Sequence, residues 1–124
     1  MTKKILIADS DPLFLETIAT QIKDNRGYEV ITAFDGMEAL KKARRENPDI
    51  IILEDTLVFI DGFKLCRFLK FDKQRRHIPI ILLTPHISDA NVALAKEVGS
   101  DDYLLHSVND NLLEKIDSYL SKTD

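Results

Sequence analysis

The sequence predicts an α/β protein, a doubly wound parallel sheet with helices on both faces. Three observations carry that expectation. Ile50-Ile51-Ile52-Leu53 is an unbroken aliphatic run, bounded by Pro48-Asp49 before it and Glu54-Asp55 after it. A short run of this kind reads as a strand buried on both faces, the situation of the middle of a parallel sheet. Ile5-Leu6-Ile7-Ala8 and the segment from Ile78 to Thr84 repeat the pattern, and amphipathic stretches of helical period separate the runs. Strands alternating with helices over short connections resolve into parallel strands joined by right-handed crossovers.

Taken in order, the first strand is introduced by Lys3-Lys4 and ended by Asp9-Ser10-Asp11-Pro12. Asp11 is the expected cap and Pro12 the first-turn residue of a helix with Phe14, Ile18 and Ile22 on its inner face, stopped at Gly27. Tyr28 to Ala33 reads as a strand. Asp35-Gly36-Met37-Glu38 has capping-box spacing, with Met37, Leu40 and Ala43 expected to face inward and Pro48 to close the helix. Asp61 caps a third helix with Phe63, Cys66 and Leu69 inside. Cys66 there is core, and His77 lies in a basic, solvated turn. Pro79 stands near the start of its strand, where a missing donor is tolerated. Ser88 opens an Ala-rich helix ending at Val98-Gly99. Tyr103-Leu104-Leu105 is a short last strand, and Leu112, Leu113, Ile116 and Leu120 define a terminal amphipathic helix.

At 124 residues the chain is expected to be one domain, residues 1–124. A net charge of −4 argues against nucleic-acid binding by this domain. A lone cysteine suits a reducing compartment, and no apolar run reaches spanning length, so a cytoplasmic protein without membrane contact is expected.

In a parallel sheet the C-terminal strand ends share one edge, where such folds keep their ligand crevice. That edge gathers Asp9 and Ser10, Glu54, Thr84 and His106. Here the chain resembles the receiver domain of response regulators in bacterial two-component signalling, a chemotaxis-receiver-like module. The resemblance rests on Lys4-Ile5-Leu6-Ile7-Ala8-Asp9, Gly27-Tyr28-Glu29-Val30, Asp35-Gly36, Pro48-Asp49, Asp61-Gly62-Phe63, Ile78-Pro79-Ile80 and Gly99-Ser100-Asp101-Asp102-Tyr103-Leu104. It runs from about residue 3 to residue 120, and it implies a flavodoxin-like, five-stranded sheet in the order 2-1-3-4-5, for which a receiver is a standard example.

The resemblance also implies a chemistry, and most of its residues have changed. Receivers carry paired acids after the first strand, a phosphate-accepting Asp ending the third, a Thr or Ser ending the fourth and a Lys-Pro after the fifth. Asp9 keeps the first acid and Ser10 replaces the second. The phosphoacceptor position falls on Glu54. Thr84 matches the hydroxyl, His106 stands for the Lys and Ser107 for the Pro, and Tyr103 matches the aromatic that switches with phosphorylation. Glu54 reaches one methylene too far, and a misplacement of about 1 Å can cost about a hundredfold in rate. Ser10 removes an anionic ligand of the kind Mg²⁺ prefers, leaving Asp9, Glu54 and the carbonyl of Thr56 as a weak metal set. The expectation is therefore a pseudo-receiver that needs no cofactor, in which Glu54 sits near Thr84 or His106 in one fixed state. Without proline, the His106–Ser107 peptide is expected trans and the following loop displaced, since a non-proline cis bond costs ~2.5–4 kcal/mol.

The alternative is a conventional phosphoaccepting receiver of a phosphorelay, using Glu54 or Asp55 with Mg²⁺, although strand alternation turns Asp55 away from the Glu54 pocket. Less favoured are a metal site of His86, His106 and a carboxylate, and a flavodoxin-like domain binding a small ligand, for which a Gly-rich phosphate loop is missing. Expected partners are proteins, a kinase or an effector. Phe59, Phe68 and Phe71, bordered by cations, form a candidate partner surface. The family resemblance adds a homodimer face made by the fourth helix, fifth strand and fifth helix.

Overall fold

The structure is a computed structural model that describes residues 2–106 and 110–121. The elements are β1 (Lys4–Ala8), α1 (Pro12–Arg26), β2 (Glu29–Ala33), α2 (Gly36–Glu46), β3 (Ile50–Glu54), α3 (Gly62–Phe71), β4 (Ile80–Thr84), α4 (Asp89–Glu97), β5 (Asp102–Leu105) and α5 (Asp110–Ser121). All neighbouring strands pair in parallel, in the order β2-β1-β3-β4-β5.

Strand alternation divides the core into two layers. Ile5, Ile7, Ile50, Ile52, Ile81 and Leu83 face α1 and α5, meeting Ile18, Ile22, Leu112 and Ile116. Leu6, Ala8, Ile51, Leu53, Ile80 and Leu82 face the other way, onto Ala39, Ala43, Leu65, Cys66, Leu69 and Ala95 of α2, α3 and α4. Every residue of β3 from Ile50 to Leu53 is fully buried, which is why that strand is aliphatic throughout. Burying a side chain of this size stabilises the fold by roughly 1.5–3 kcal/mol relative to leaving it exposed.

Local chemistry sets the element ends. Asp11 accepts from Leu13 N with Pro12 inside the first turn of α1, Asp61 accepts from Lys64 N, and Ser88 from Asn91 N. Gly27 ends α1 in the left-handed region at φ 70°. The α2 helix ends on Asn47, also left-handed at φ 50°, so Pro48 follows the stop and does not make it. Two strands are shorter than their sequence suggests. β2 begins at Glu29, not Tyr28, and β4 begins at Ile80, with Pro79 just outside and lending only its carbonyl, to Ile51 N at 3.0 Å.

One helix is rotated from its expected setting. Met37 is 44% exposed, and the inner line of α2 runs through Ala39 and Ala43, with Leu40 half-buried. A buried pair four residues apart places position 37 on a different side of the helix. The close seat of Gly36 supports this phase: its N–H donates to Val58 O at 3.0 Å, and a Cβ there would lie 1.8 Å from Ile60 O.

Candidate functional site

The strand ends place the polar residues, and alternation decides which way each points. Asp9 follows β1 and is 1% exposed. Its N–H donates to Ala33 O at 3.0 Å, while its Oδ1 accepts from Asp11 N at 2.9 Å. Its Oδ2 pairs with His106 Nε2. The His106 ring lies on Phe14, with centroids 4.3 Å apart, and its backbone N–H donates to Thr84 O at 2.6 Å. Burial pushes the Asp9 carboxyl above the usual range; the bond from Asp11 N–H and the His106 contact oppose that, and the neighbouring Glu54 charge adds to it.

Glu54 ends β3 on the face of Ile50 and Ile52, the side of α1. Its Oε2 accepts from Ser10 N at 2.8 Å and from Ser10 Oγ at 3.0 Å, and its Oε1 accepts from Thr56 Oγ1 at 3.0 Å. Partial burial raises this carboxyl, but the donors from Ser10 and Thr56 outweigh it and leave it below the ordinary value. Among the described residues Glu54 makes its hydrogen bonds to Ser10 and Thr56 and none to Thr84 or His106. The Thr84 hydroxyl is taken up in its own loop, donating to His86 O at 2.9 Å and accepting from His86 N at 3.2 Å. His106 is taken up by Asp9.

Asp55 lies on the opposite side of the strand, as alternation requires. It is 4% exposed, and its Oδ2 accepts the Tyr103 hydroxyl at 3.1 Å. Its Oδ1 has no hydrogen-bond partner among the described residues. Tyr103 is half-buried beside Phe63, with ring centroids 5.9 Å apart, and burial together with the Asp55 carboxylate pushes its phenol up, so it remains a donor. This pair, the use of the Thr56 hydroxyl and the Phe14–His106 contact are absent from the sequence reading. Only the parity of Asp55 along β3 gave a signal for any of them.

The remaining candidates separate. His86 and His77 are exposed. Among the described residues no three His, Cys, Asp or Glu side chains group to hold a metal, which removes the site of His86, His106 and a carboxylate. Cys66 is buried, donates to Val98 O at 3.6 Å, and burial pushes its thiol up to about 12, so it is inert core. Phe59, Phe68 and Phe71 are exposed by 81%, 58% and 75%. They do not share one groove: Phe68 and Phe71 line one with Lys64 and Arg67, and Phe59 lines another with Asp35, Met37, Glu38 and Lys41. The expected trans His106–Ser107 peptide and displaced loop lie outside the described residues. No described helix is long and apolar enough to cross a membrane.

The family model for the response regulator receiver domain matches residues 5–117. The chain belongs to the response regulator receiver family. It is 42% identical over 107 residues to the alkaline phosphatase synthesis transcriptional regulatory protein PhoP of Bacillus subtilis, a match covering 84% of this chain and 42% of that protein. It is 31% identical over 121 residues to the polar-differentiation response regulator DivK of Brucella ovis, covering 97% of this chain and 98% of that one. Among solved structures, Vibrio cholerae chemotaxis protein CheY4 superposes with a TM-score of 0.89 at 29% identity, covering 96% of this chain and 99% of that chain. The receiver domain of Francisella response regulator 1452 gives 0.89 at 31% identity, covering 99% and 100%. The chain spans less than half the length of the PhoP relative.

In this receiver, each carboxylate at the sheet edge already has protein donors. The sheet order is that of the family fold. The bonds that fill the pocket come from Ser10, Thr56 and His106.

Proposed function

We propose that this response regulator receiver domain acts in two-component signalling without being phosphorylated, as a module that binds kinase or effector proteins. The observation that carries this reading is the state of Glu54. At the phosphoacceptor position it has a longer side chain than Asp, and Ser10 and Thr56 hold both of its oxygens. An attacking carboxylate must present a free oxygen in line with phosphorus, and the bonds that stabilise Glu54 as an anion also withhold it.

The metal set points the same way. Asp9 and Glu54 are the two carboxylates left at this edge, and His106 and Ser10 supply the donors that an ion would have to displace. Mg²⁺ favours an octahedron of oxygens and several anionic ligands, so this donor set fits it poorly and binding is expected to be weak at best. Asp55 does not replace Glu54 in this reading, because it is buried on the other face of β3 against Tyr103. The module is proposed to bind proteins only, with no nucleic acid, and the face of α4, β5 and α5 is its proposed homodimer surface.

Incubation with acetyl phosphate and Mg²⁺, followed by intact-mass measurement, tests the reading. The expected result is an unmodified chain. A stoichiometric acyl-phosphate on Glu54 or Asp55 would return the chain to the phosphoaccepting receivers.

A further inference from the structure

The α3 helix has a second apolar stripe that the fold does not use. Leu65, Cys66 and Leu69 fill the core side. Lys64, Arg67, Phe68 and Phe71 fall at i, i+3, i+4 and i+7, one continuous line on the outer side. They line a groove of about 280 Å³. A surface helix ordinarily turns charged and polar residues outward, and two neighbouring phenylalanines in that place mark a contact surface.

The cations along the groove differ from those nearby. Lys70 is committed to Asp101 at 2.8 Å and to the carbonyls of Ile78 and Arg76, and Arg75 to Asp72 at 2.6 Å. Lys64 and Arg67 have no carboxylate partner among the described residues, and Arg67 lies 5.8 Å from the centre of the Phe71 ring. The chain as a whole is acidic at −4, so this is a local reversal of sign. A symmetric contact with a second copy would set Lys64 and Arg67 against the same cations, which disfavours self-association through this face.

We propose that the outer stripe of α3 is a docking site for an amphipathic helix of a partner protein, with apolar anchors that seat between Phe68 and Phe71 and flanking carboxylates that pair with Lys64 and Arg67. Aromatic side chains and arginine in a groove are the usual anchors of such contacts, and helices dock in grooves through residues spaced i, i+3, i+4 and i+7. This names the partner class for the interaction module proposed above and rests on that reading.

The test is selection of displayed random peptides of about 15 residues, long enough to form a helix, on the wild-type chain with counter-selection on the F68A/F71A variant. Both phenylalanines point away from the core, and a thermal melt of the variant checks its fold. Enriched sequences are expected to carry apolar residues at helical spacing flanked by Asp and Glu. They should bind K64E/R67E at least about tenfold more weakly than wild type, with the difference shrinking as salt rises. Enrichment of basic or charge-neutral sequences, binding that survives both variants, or failure to enrich would overturn the proposal. So would a wild-type dimer, seen by sedimentation, that F68A/F71A abolishes. Repeating the binding after acetyl phosphate and Mg²⁺ separates the two readings. A phosphorylated chain that still takes acidic peptides on α3 sinks the pocket reading alone. An unmodified chain whose peptides shift amides of β5 and not of α3 sinks the docking site alone.

Discussion

The Tyr103 hydroxyl donates to Oδ2 of Asp55 across 3.1 Å, tying β5 to the end of β3. Oδ1 of the same carboxylate is buried with no hydrogen-bond partner among the described residues, so the tyrosine is the only side-chain hydrogen-bond donor to Asp55 there. Tyr103→Phe leaves that carboxylate buried without it, and the expected loss is roughly 1–3 kcal/mol. Asp55→Asn keeps an acceptor for the tyrosine and removes the charge, and is expected to cost less. Urea denaturation of both variants measures the difference, and equal stability of Tyr103→Phe and wild type would show that the bond contributes nothing.

Restoring the family's pocket residues should restore its chemistry. The triple variant Ser10→Asp, Glu54→Asp, His106→Lys regains the second acid, the shorter nucleophile and the cation together. Intact mass after acetyl phosphate and Mg²⁺ is expected to show a phosphoryl adduct on the triple variant and none on Glu54→Asp alone. The single change leaves the Ser10 N–H and hydroxyl at the pocket and brings no second metal-binding acid.

Acid should act on the two pocket carboxylates in opposite senses. Glu54 is held below its ordinary 4.5 in the folded chain. Its ionised form therefore adds stability that is fully present above 4.5 and is lost as pH falls through the folded value. Comparing melting temperatures across pH, wild type should exceed Glu54→Gln at neutral pH, and the gap should close in the acid range. Asp9 is raised above its ordinary 3.8, so its ionised form costs stability at neutral pH and acid relieves that cost. Asp9→Asn is expected to melt higher than wild type at pH 7, and a lower melting point would contradict the burial argument.

Gly62 opens α3 hard against the strand that carries the pocket. Its N–H donates to Asp55 O at 3.0 Å, and a Cβ would lie 2.4 Å from Glu54 O and 2.8 Å from Asp55 Cα. Gly62→Ala has to move backbone, and a cost of about 1–3 kcal/mol is expected for such overpacking. Amide spectra should show the displacement at Glu54 and Asp55 before any loss of fold. Unchanged shifts there would mean that the helix start yields instead.

The architecture was legible because its signals are local. Aliphatic runs such as Ile50 to Leu53, and caps such as Asp11, Asp61 and Ser88, sit within a few residues of the elements they define. Rotation of a helix is less local: Asp35 fixes where α2 starts, but the turn of Met37 outward depends on how Gly36 seats against Ile60. The pocket was legible as a gathering of strand ends and not as a set of bonds. Which hydroxyl reaches Glu54 depends on the path of each loop, and Thr84 is consumed by its own. Asp9 meets His106 across 97 residues of chain, and Asp55 meets Tyr103 across 48, separations over which periodicity says nothing about pairing.

The missing side chain at Gly62 makes α3 a lever with its fulcrum on β3. Phe63, one residue further on, leans on the Tyr103 ring at 5.9 Å, so the helix root touches the strand terminus and the aromatic together. A protein docked at Phe71, as proposed above, would hold a helix whose first turn touches both. If that docking shifts the strand terminus, thermodynamic reciprocity requires that whatever resets the terminus also changes how firmly the partner is held.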